Sequence, residues 1–169
     1  MSSHGDPLSH PAETLRAVYS YVAYRIGPGP DAEDIVSQAV ERAIRYRDSY
    51  DPSAGTPAAW LIGIANNCIA DTWPEAGRRV DLDVEELIGT QDDFTAGVAE
   101  RADLYAAVAR LDDRDRELIA LRYGADLSAR QIGRRLGMRT NAAEVALHRA
   151  LGRLRRALED DGAAGQAAP

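Results

Sequence analysis

Residues 127–158 read LSARQIGRRLGMRTNAAEVALHRALGRLRRAL, and this stretch decides the architecture of the C-terminal half of the chain. Ser128 followed by Gln131 forms a capping-box pattern, which predicts that a short helix begins here. Gly137 has the place of a helix-ending glycine, and a longer, arginine-rich helical pattern follows the turn at residues 138–140. Two helices joined in this way, the second one basic, are typical of a helix-turn-helix, although a purely structural helical hairpin has the same local pattern.

The longer helix has two contrasting faces. At about 100° per residue its apolar residues align into one stripe, which predicts a buried face. Val145 lies among polar residues on the other face, where it could contact a thymine methyl group or simply be an isolated exposed apolar residue. His148 has no second histidine or cysteine at ligand spacing, which favours a phosphate- or solvent-facing role over a metal site. The stripe consists of Ala143, Leu147, Ala150, Leu151, Leu154 and Leu158, and the other face carries Asn141, Val145, His148, Arg149, Gly152 and Arg156.

Glu144 is an acidic residue near the start of this basic helix. We interpret Asn141 as the helix N-cap, so that Glu144 three residues later completes a capping-box-like pair. A carboxylate there also lies near the positive end of the helix dipole, and this interaction stabilises a helix by up to about 1 kcal/mol. The alternative is that Glu144 reads DNA, because a glutamate can accept a hydrogen bond from cytosine N4.

The rest of the chain also has helical periodicity, and no convincing alternating strand pattern is present. The first helix ends at the breaker GPGP, residues 27–30, after which Asp31 is the expected N-cap of a second helix. Thr56 followed by Pro57 predicts the start of a third helix, which Pro74 ends. We expect the single cysteine of the chain, which lies in this apolar third helix, to fill the core rather than to react.

These patterns predict an all-α fold with two small helical domains joined by a flexible acidic linker. The segment between the periodic parts contains no basic residue from Val80 to Glu100 and many acidic ones. The tail is rich in glycine and alanine, which predicts disorder. The predicted parts are a helical bundle at residues 8–74, a linker at 75–95, a helix-turn-helix domain at 96–159 and a disordered tail at 160–169.

Charge is distributed unevenly between the two parts. Residues 111–158 contain 11 arginines against 6 acidic residues, whereas residues 1–110 contain 9 arginines against 18. A basic C-terminal module in a chain of net charge −7 favours nucleic-acid contact by that module, the alternative being a solvated charged face. One cysteine excludes an internal disulfide and a multi-cysteine zinc site, so we expect no metal and no cofactor. The sequence has neither a signal pattern nor a membrane-length apolar run, so we expect a cytoplasmic protein without membrane insertion.

Two segments resemble a known family, the extracytoplasmic-function (ECF) sigma factors of bacterial RNA polymerase. LDDRDRELIALRYGADLSARQIGRRLGMRTNAAEVALHRALGRLRRAL, residues 111–158, is similar to their region 4. DAEDIVSQAVERAI at 31–44 and YDPSAGTPAAWLIGIANNCIADTW at 50–73 resemble their region 2. Each short motif alone would be weak, but the two regions occur in the family's order with a linker between them.

The resemblance implies a sigma factor that binds core polymerase and directs promoter-specific initiation. Region 2 would engage the −10 element and region 4 the −35 element, and no enzymatic activity would be involved. The implied −35 residues are Arg139, Thr140, Asn141, Glu144, Val145, His148 and Arg149. The implied −10 residues are Asp51, Ser53, Trp60, Asn66, Asn67, Arg78 and Arg79.

The resemblance also implies the protein partners. These are promoter DNA and the clamp and flap regions of core RNA polymerase, the clamp being contacted through Asp31, Asp34 and Gln38. An anti-sigma factor is a further candidate, because the family usually has one.

The chain departs from the family pattern at positions that bear on DNA affinity. The family usually has arginines in the third helix, where this chain has Gly63 and Asn66, and an aromatic residue where this chain has Ile44. Glu144 and Ala146 occupy recognition-helix positions that are frequently basic. We therefore expect weak intrinsic promoter affinity.

Two other classes of protein remain as alternatives. A helix-turn-helix regulator that does not bind core polymerase would not need the module at residues 31–73. An enzyme with a metal-binding acid cluster at Asp31, Glu33 and Asp34 is disfavoured, because no histidine accompanies these acids.

Overall fold

The structure, a computed structural model, describes residues 6–74 and 95–165, with side chains for 6–74 and 101–162. Within these ranges it is entirely helical, which confirms the all-α prediction. A 3₁₀ turn at Arg47–Ser49 and a π-helical turn at Ala120–Gly124 separate some of the α-helices. The α-helices are α1 Pro11–Ile26, α2 Pro30–Arg45, α3 Pro57–Thr72, α4 Thr95–Ala109, α5 Asp113–Ile119, α6 Ala129–Leu136 and α7 Thr140–Gly165.

The N-terminal domain is a bundle of α1, α2 and α3. Each helix buries residues spaced three or four apart, so that one face of each helix meets the shared core. Cys68 is fully buried in this core, as predicted, and its burial raises the pKa of the thiol. The predicted start of α3 is also confirmed, because Thr56 Oγ1 accepts a hydrogen bond from the Ala59 amide at 3.2 Å and Pro57 is the first helical residue.

The start of α2 differs from the prediction. Gly29, at φ 122°, is the N-cap and Pro30 is the first helical residue. Asp31 therefore lies in the first turn and is not the cap. The physical reason is that the ring of Pro30 already fixes a helical φ, so the helix begins two residues earlier than the aspartate pattern indicates.

The C-terminal domain consists of α4 to α7 and contains the predicted helix-turn-helix in α6 and α7. Ser128 and Gln131 form the capping box, with the Ser128 amide donating to Gln131 Oε1 at 2.8 Å and the Gln131 amide donating to Ser128 Oγ at 3.3 Å. Gly137 ends α6 at φ 67°, a left-handed conformation that glycine adopts without strain. The apolar stripe of α7 faces inward, with Ala143 and Ala150 fully buried. These predictions are confirmed.

Both ends of α7 differ from the prediction. The helix begins at Thr140, so Asn141 lies in its first turn instead of capping it. The helix also continues through residues 160–165, where we predicted disorder. Arg110 of α4 forms an ion pair with Asp161 and donates to the Ala157 carbonyl, which joins this end of α7 to the domain. Residues 75–94 and 166–169, which include most of the predicted linker, lie outside the described residues.

The two domains pack against each other through α1. Gly124 of the π-helical turn lies so close to α1 that a Cβ atom at this position would come within 2.8 Å of Tyr21 Cα. The rings of Tyr24 in α1 and Tyr105 in α4 are 5.4 Å apart, centroid to centroid. Among the helices of the described residues, none has the length and apolarity needed to cross a bilayer.

Candidate nucleic-acid interface

The outer face of α7 presents every residue that we assigned to the −35 element. We call this set the recognition face. All of its members are exposed, and the buried stripe lies on the opposite side of the same helix. Val145 is 50% exposed, which is high for an aliphatic side chain on a folded domain. The recognition face consists of Arg139, Thr140, Asn141, Glu144, Val145, His148 and Arg149.

Three arginines in or next to α7 differ in their partners: Arg139, Arg149 and Arg153. Arg139 and Arg149 form no ion pair with any residue that the structure describes, so their charges are available to an external anion. Arg153, one turn further along, donates to Asp115 Oδ2 at 2.6 Å, and the Asp115 side chain is only 6% exposed. Arg153 therefore anchors α7 to α5, whereas Arg139 and Arg149 have no such role within the described residues.

Glu144 does not cap α7, so our interpretation of it as a helix-starting residue is wrong. The helix begins at Thr140, which places Glu144 a full turn inside it. Within the described residues, Glu144 forms no hydrogen bond and no ion pair. It remains an exposed carboxylate in the middle of the recognition face, where only an external partner could use it.

The loop at residues 51–55, which we call the −10 loop, is held by its own hydrogen bonds. Asp51 Oδ1 accepts from the Ser53 amide at 2.9 Å and from the Ser53 hydroxyl at 2.7 Å. The hydroxyl bond, followed by the amide bond, lowers the pKa of Asp51. Tyr50 donates to the Gly55 carbonyl at 2.9 Å, which closes the loop from the other side.

Tyr50 is a candidate site residue that was not predicted from the sequence. Its ring lies 5.4 Å from the ring of Trp60, centroid to centroid, at an interplanar angle of 57°. Two aromatic rings beside a preformed loop are the kind of surface on which unpaired bases stack. The sequence feature that could have indicated Tyr50 is its place as an aromatic residue directly before the predicted turn at residues 51–55.

A cavity of about 770 Å³ lies between the −10 loop, Trp60 and α6 of the other domain. Arg134 and Arg135 line it from the α6 side. Arg135 also donates to the Ala59 carbonyl of α3 at 3.2 Å. The sequence reasoning did not associate these two arginines with the −10 loop, since nothing in their local pattern indicates which part of the N-terminal domain they meet.

Asn66 and Asn67 have different surroundings although they are adjacent in α3. Asn67 is exposed, whereas Asn66 is half-buried. Asn66 Oδ1 accepts a hydrogen bond from Tyr21 at 3.2 Å and another from Arg25 at 3.0 Å. The side-chain oxygen of Asn66 therefore has its hydrogen-bond partners within the protein. The last two −10 residues of our assignment, Arg78 and Arg79, lie outside the described residues.

Arg25 is the centre of a buried polar cluster between the domains, formed with Tyr21, Asn66, Asp113 and Glu117. Its side chain is 5% exposed and contacts Asp113 Oδ1 at 3.2 Å and Glu117 Oε1 at 3.5 Å. Burial alone would lower the pKa of Arg25, but the oxygens of Tyr21, Glu117 and Asp113 together raise it by more, so the net shift is upward. Burial also raises the pKa of the Tyr21 hydroxyl.

The residues that we assigned to core polymerase lie together on α2. Asp31, Asp34 and Gln38 are exposed on one face, and the opposite face is buried in the bundle. Ile44 and Tyr46, at the end of the same helix, are 53% and 55% exposed. These two apolar side chains were not among our predicted contacts, although exposed large apolar residues often mark binding surfaces.

Comparison with known proteins gives the same two-part division. Residues 12–79 match the family described as Sigma-70 region 2, and residues 101–154 match Sigma-70, region 4. The chain is 31% identical over 150 residues to the ECF RNA polymerase sigma factor BldN of Streptomyces coelicolor, covering 85% of this chain but only 57% of BldN. It is 32% identical over 133 residues to the ECF RNA polymerase sigma factor SigF of Caulobacter vibrioides, covering 78% of this chain and 74% of SigF.

Two solved structures share the fold. The sigma factor RpoE of Bartonella quintana, crystallised with the anti-sigma factor NepR, aligns with a TM-score of 0.68 at 21% identity, covering 88% of this chain and 93% of RpoE. CnrH, in complex with the cytosolic domain of CnrY, aligns with a TM-score of 0.59 at 24% identity, covering 90% of this chain and 84% of CnrH.

Proposed function

This chain belongs to the ECF sigma factors of the sigma-70 family, and on that basis we propose that it binds core RNA polymerase and directs promoter-specific transcription initiation. One observation carries the proposal: a region 2 bundle and a region 4 helix-turn-helix occur in the same chain, in that order. Sigma factors are not enzymes, and we propose no catalytic activity for this one.

The recognition face of α7 is the proposed −35 contact. A helix of this kind enters the major groove and presents side chains to base edges, while flanking cations hold the phosphates. Two features support the assignment. Arg139 and Arg149 are exposed and unpaired within the described part of the chain, and Val145 offers an apolar contact of the kind that a thymine methyl group accepts.

The −10 loop, together with Trp60 and the two asparagines of α3, is the proposed −10 contact. Capture of a single strand needs stacking surfaces and a preformed polar pocket. The Tyr50–Trp60 pair and the hydrogen bonds between Asp51 and Ser53 supply these two elements. This makes Tyr50 an addition to the residues assigned from sequence.

The exposed face of α2 is the proposed contact with the polymerase clamp. Asp31, Asp34 and Gln38 provide a polar surface, and Ile44 adds an exposed apolar residue near its end. We also propose an anti-sigma factor as a partner, supported by the structure of the related fold of RpoE in complex with NepR.

Binding to core polymerase tests this function most directly. The tagged full chain is incubated with purified bacterial core enzyme, and bound subunits are quantified, with transcription across genomic DNA and start-site mapping as the second readout. We expect core binding and discrete start sites. Asp34→Arg should weaken core binding, whereas the matched control Asp103→Arg, an exposed aspartate on α4, should not.

The second candidate function is that of a helix-turn-helix regulator that acts without core polymerase. The recognition face would serve it equally well. Sequence-specific DNA binding by a folded chain that does not bind core enzyme would establish this candidate and overturn the first.

A further inference from the structure

We propose that the cavity between the −10 loop and α6 binds a free nucleotide that carries at least two phosphate groups. The base lies against the rings of Tyr50 and Trp60. The phosphates bind the guanidinium groups of Arg134 and Arg135. The inference goes beyond the proposed function, because neither DNA nor core polymerase takes part in this binding.

The cavity has the size of a small-molecule site. Its volume of about 770 Å³ lies within the range of about 300–1,000 Å³ that is usual for such sites. A second cavity of about 500 Å³ shares Trp60, Gly63 and Arg135 with it. Gly63 has no side chain, and a Cβ atom there would lie 3.6 Å from two guanidinium nitrogens of Arg135, so the glycine keeps this part of the cavity open.

Tyr50 and Trp60 supply the surface for a base. Both rings are half-buried and line the cavity, with their centroids 5.4 Å apart. The Tyr50 hydroxyl is already held by its hydrogen bond to the Gly55 carbonyl at 2.9 Å. A side chain that is held before the ligand arrives loses little conformational freedom on binding. Because every nucleobase has a π-face, the pair favours a base without selecting which one.

Arg134 and Arg135 supply the positive charge for the phosphates. Neither forms an ion pair with any residue that the structure describes. Arg134 is exposed, and Arg135 donates to a neutral acceptor, the Ala59 carbonyl, at 3.2 Å. Since one guanidinium can bind one phosphate group through two parallel N–H donors, two arginines favour a ligand with two phosphate groups or more.

The acidic residues of the two cavities indicate which way the ligand lies. Glu117 lines the smaller cavity and would repel a phosphate there, whereas Arg134 lines the larger one. Among the described residues that line the larger cavity, Asp51 is the one carboxylate, and its Oδ1 already accepts two hydrogen bonds from Ser53. Two arginines against one carboxylate give this cavity a positive charge in a chain of net charge −7.

A ligand in this position contacts both domains. The −10 loop and Trp60 belong to the N-terminal domain, and the two arginines belong to the C-terminal domain. The base and the phosphates are therefore bound by different domains. A nucleoside alone or a polyphosphate alone can use only half of the site.

The test measures nucleotide binding by the full chain in the absence of DNA and polymerase. Isothermal titration calorimetry compares ADP and GDP with adenosine, which lacks the phosphates, and with inorganic pyrophosphate, which lacks the base. We expect both nucleotides to bind with a Kd below about 100 μM. Adenosine and pyrophosphate should each bind at least about 10-fold more weakly, because each lacks one half of the contacts.

Two variants and a matched control locate the site. Arg134→Gln combined with Arg135→Gln should make ADP bind no more tightly than adenosine. Arg130→Gln should leave both affinities unchanged, because Arg130 is an exposed arginine of the same helix that does not line the cavity. Gly63→Leu fills the cavity without changing its charge and should abolish ADP binding, and leucine favours a helix over glycine. If circular dichroism shows that one variant is unfolded, the other still locates the site.

Fluorescence places the base. The chain has two tryptophans, so Trp73→Phe leaves Trp60 as the single reporter and keeps an aromatic ring at position 73. ADP should quench the emission of Trp60 in this background, whereas pyrophosphate should not. Quenching by ADP that saturates at the Kd measured by calorimetry assigns the base to this ring.

Folded wild type that shows neither heat nor quenching with ADP or GDP up to about 1 mM would overturn the inference. An equal loss of ADP affinity in Arg130→Gln and in the double arginine variant would also overturn it, since that result indicates a diffuse basic surface. Core binding is measured separately. A chain that binds ADP beside Trp60 but not core enzyme loses the proposed function and retains this site, and a chain that binds core enzyme but no nucleotide does the reverse.

Discussion

Arg25 and Asn66, 41 positions apart in the sequence, are joined by a hydrogen bond of 3.0 Å at the interface between the two domains. Asn66 belongs to the proposed −10 contact, and Arg25 also pairs with two acidic residues of the C-terminal domain, Asp113 and Glu117. The buried polar cluster around Arg25 thus includes a residue of the proposed DNA surface. The same buried cluster therefore contributes to folding stability and holds a residue of the proposed DNA contact.

Replacing Arg25 with methionine should destabilise the chain by about 1–3 kcal/mol. The methionine retains much of the apolar volume but leaves Asp113, Glu117 and Asn66 without their shared donor. Urea unfolding followed by circular dichroism measures the loss. Arg42→Met is the matched control, because the Arg42–Asp71 pair is 37% and 62% exposed on its two side chains, so that solvent screens it and its loss should change stability little. Equal losses in both variants would contradict a special role for Arg25.

Replacing Arg149 with alanine should weaken −35-dependent transcription without lowering thermal stability. Arg149 is exposed and forms no ion pair within the described residues, so folding does not depend on it. A phosphate contact predicts that the salt slope of DNA binding falls by about 1, and a base contact predicts a loss of about 1–3 kcal/mol at one base pair.

Two comparisons control the Arg149 result. A promoter without a −35 element should be transcribed equally by wild type and Arg149→Ala, and an equal loss there would contradict recognition. Arg153→Ala should instead lower stability, by roughly 1–2 kcal/mol, because it leaves the buried Asp115 without its partner.

Glu144→Gln and Glu144→Ala should both leave the stability of the C-terminal domain within about 0.5 kcal/mol of wild type, because Glu144 is exposed and caps nothing. Both changes remove a negative charge that faces the DNA phosphates, so non-specific DNA binding should tighten in both. If Glu144 reads a cytosine, both variants also lose discrimination at one −35 base pair, by about 1–3 kcal/mol. Thermal unfolding and a promoter-variant library measure the two effects. A loss of stability in the alanine variant alone would restore the capping interpretation.

Ser53→Ala should raise the pKa of Asp51 while leaving it below the ordinary value for an aspartate. The serine hydroxyl is the largest cause of the lowered pKa, and the amide of residue 53 still donates after the change. The ionised Asp51 stabilises the folded loop at pH values above the pKa of an unfolded aspartate, and this stabilisation is lost as the pH falls through the pKa of Asp51 in the folded loop. Since the variant has the higher folded-state pKa, its loop should lose order at a higher pH. Carbonyl-carbon NMR titration of Asp51 measures the shift. An unchanged pKa would show that the hydroxyl bond does not form in solution.

Signals confined to a few neighbouring residues were read correctly from the sequence. The Ser128–Gln131 capping box, the helix-ending Gly137 and the Thr56–Pro57 helix start all occur as predicted. Each depends on contacts within one turn of helix, so the local sequence contains all the partners. Where more than one nearby residue could begin a helix, the predicted start was two positions too late, as for Asp31 and Asn141.

The sequence by itself determined the helices, the two-part division and the exposure of the recognition face. Helical periodicity shows which side of each helix is apolar and therefore which side is left exposed. Only the tertiary structure decided that Arg25 meets Asn66, that Arg135 meets Ala59 and that Gly124 lies against Tyr21. The paired residues are 41 to 103 positions apart in sequence. The Arg25–Asn66 bond depends on how α1 and α3 pack within the N-terminal bundle, and the other two contacts depend on how the C-terminal domain docks on that bundle. Docking is decided by the complementarity of whole surfaces, and no local spacing of residue types encodes it.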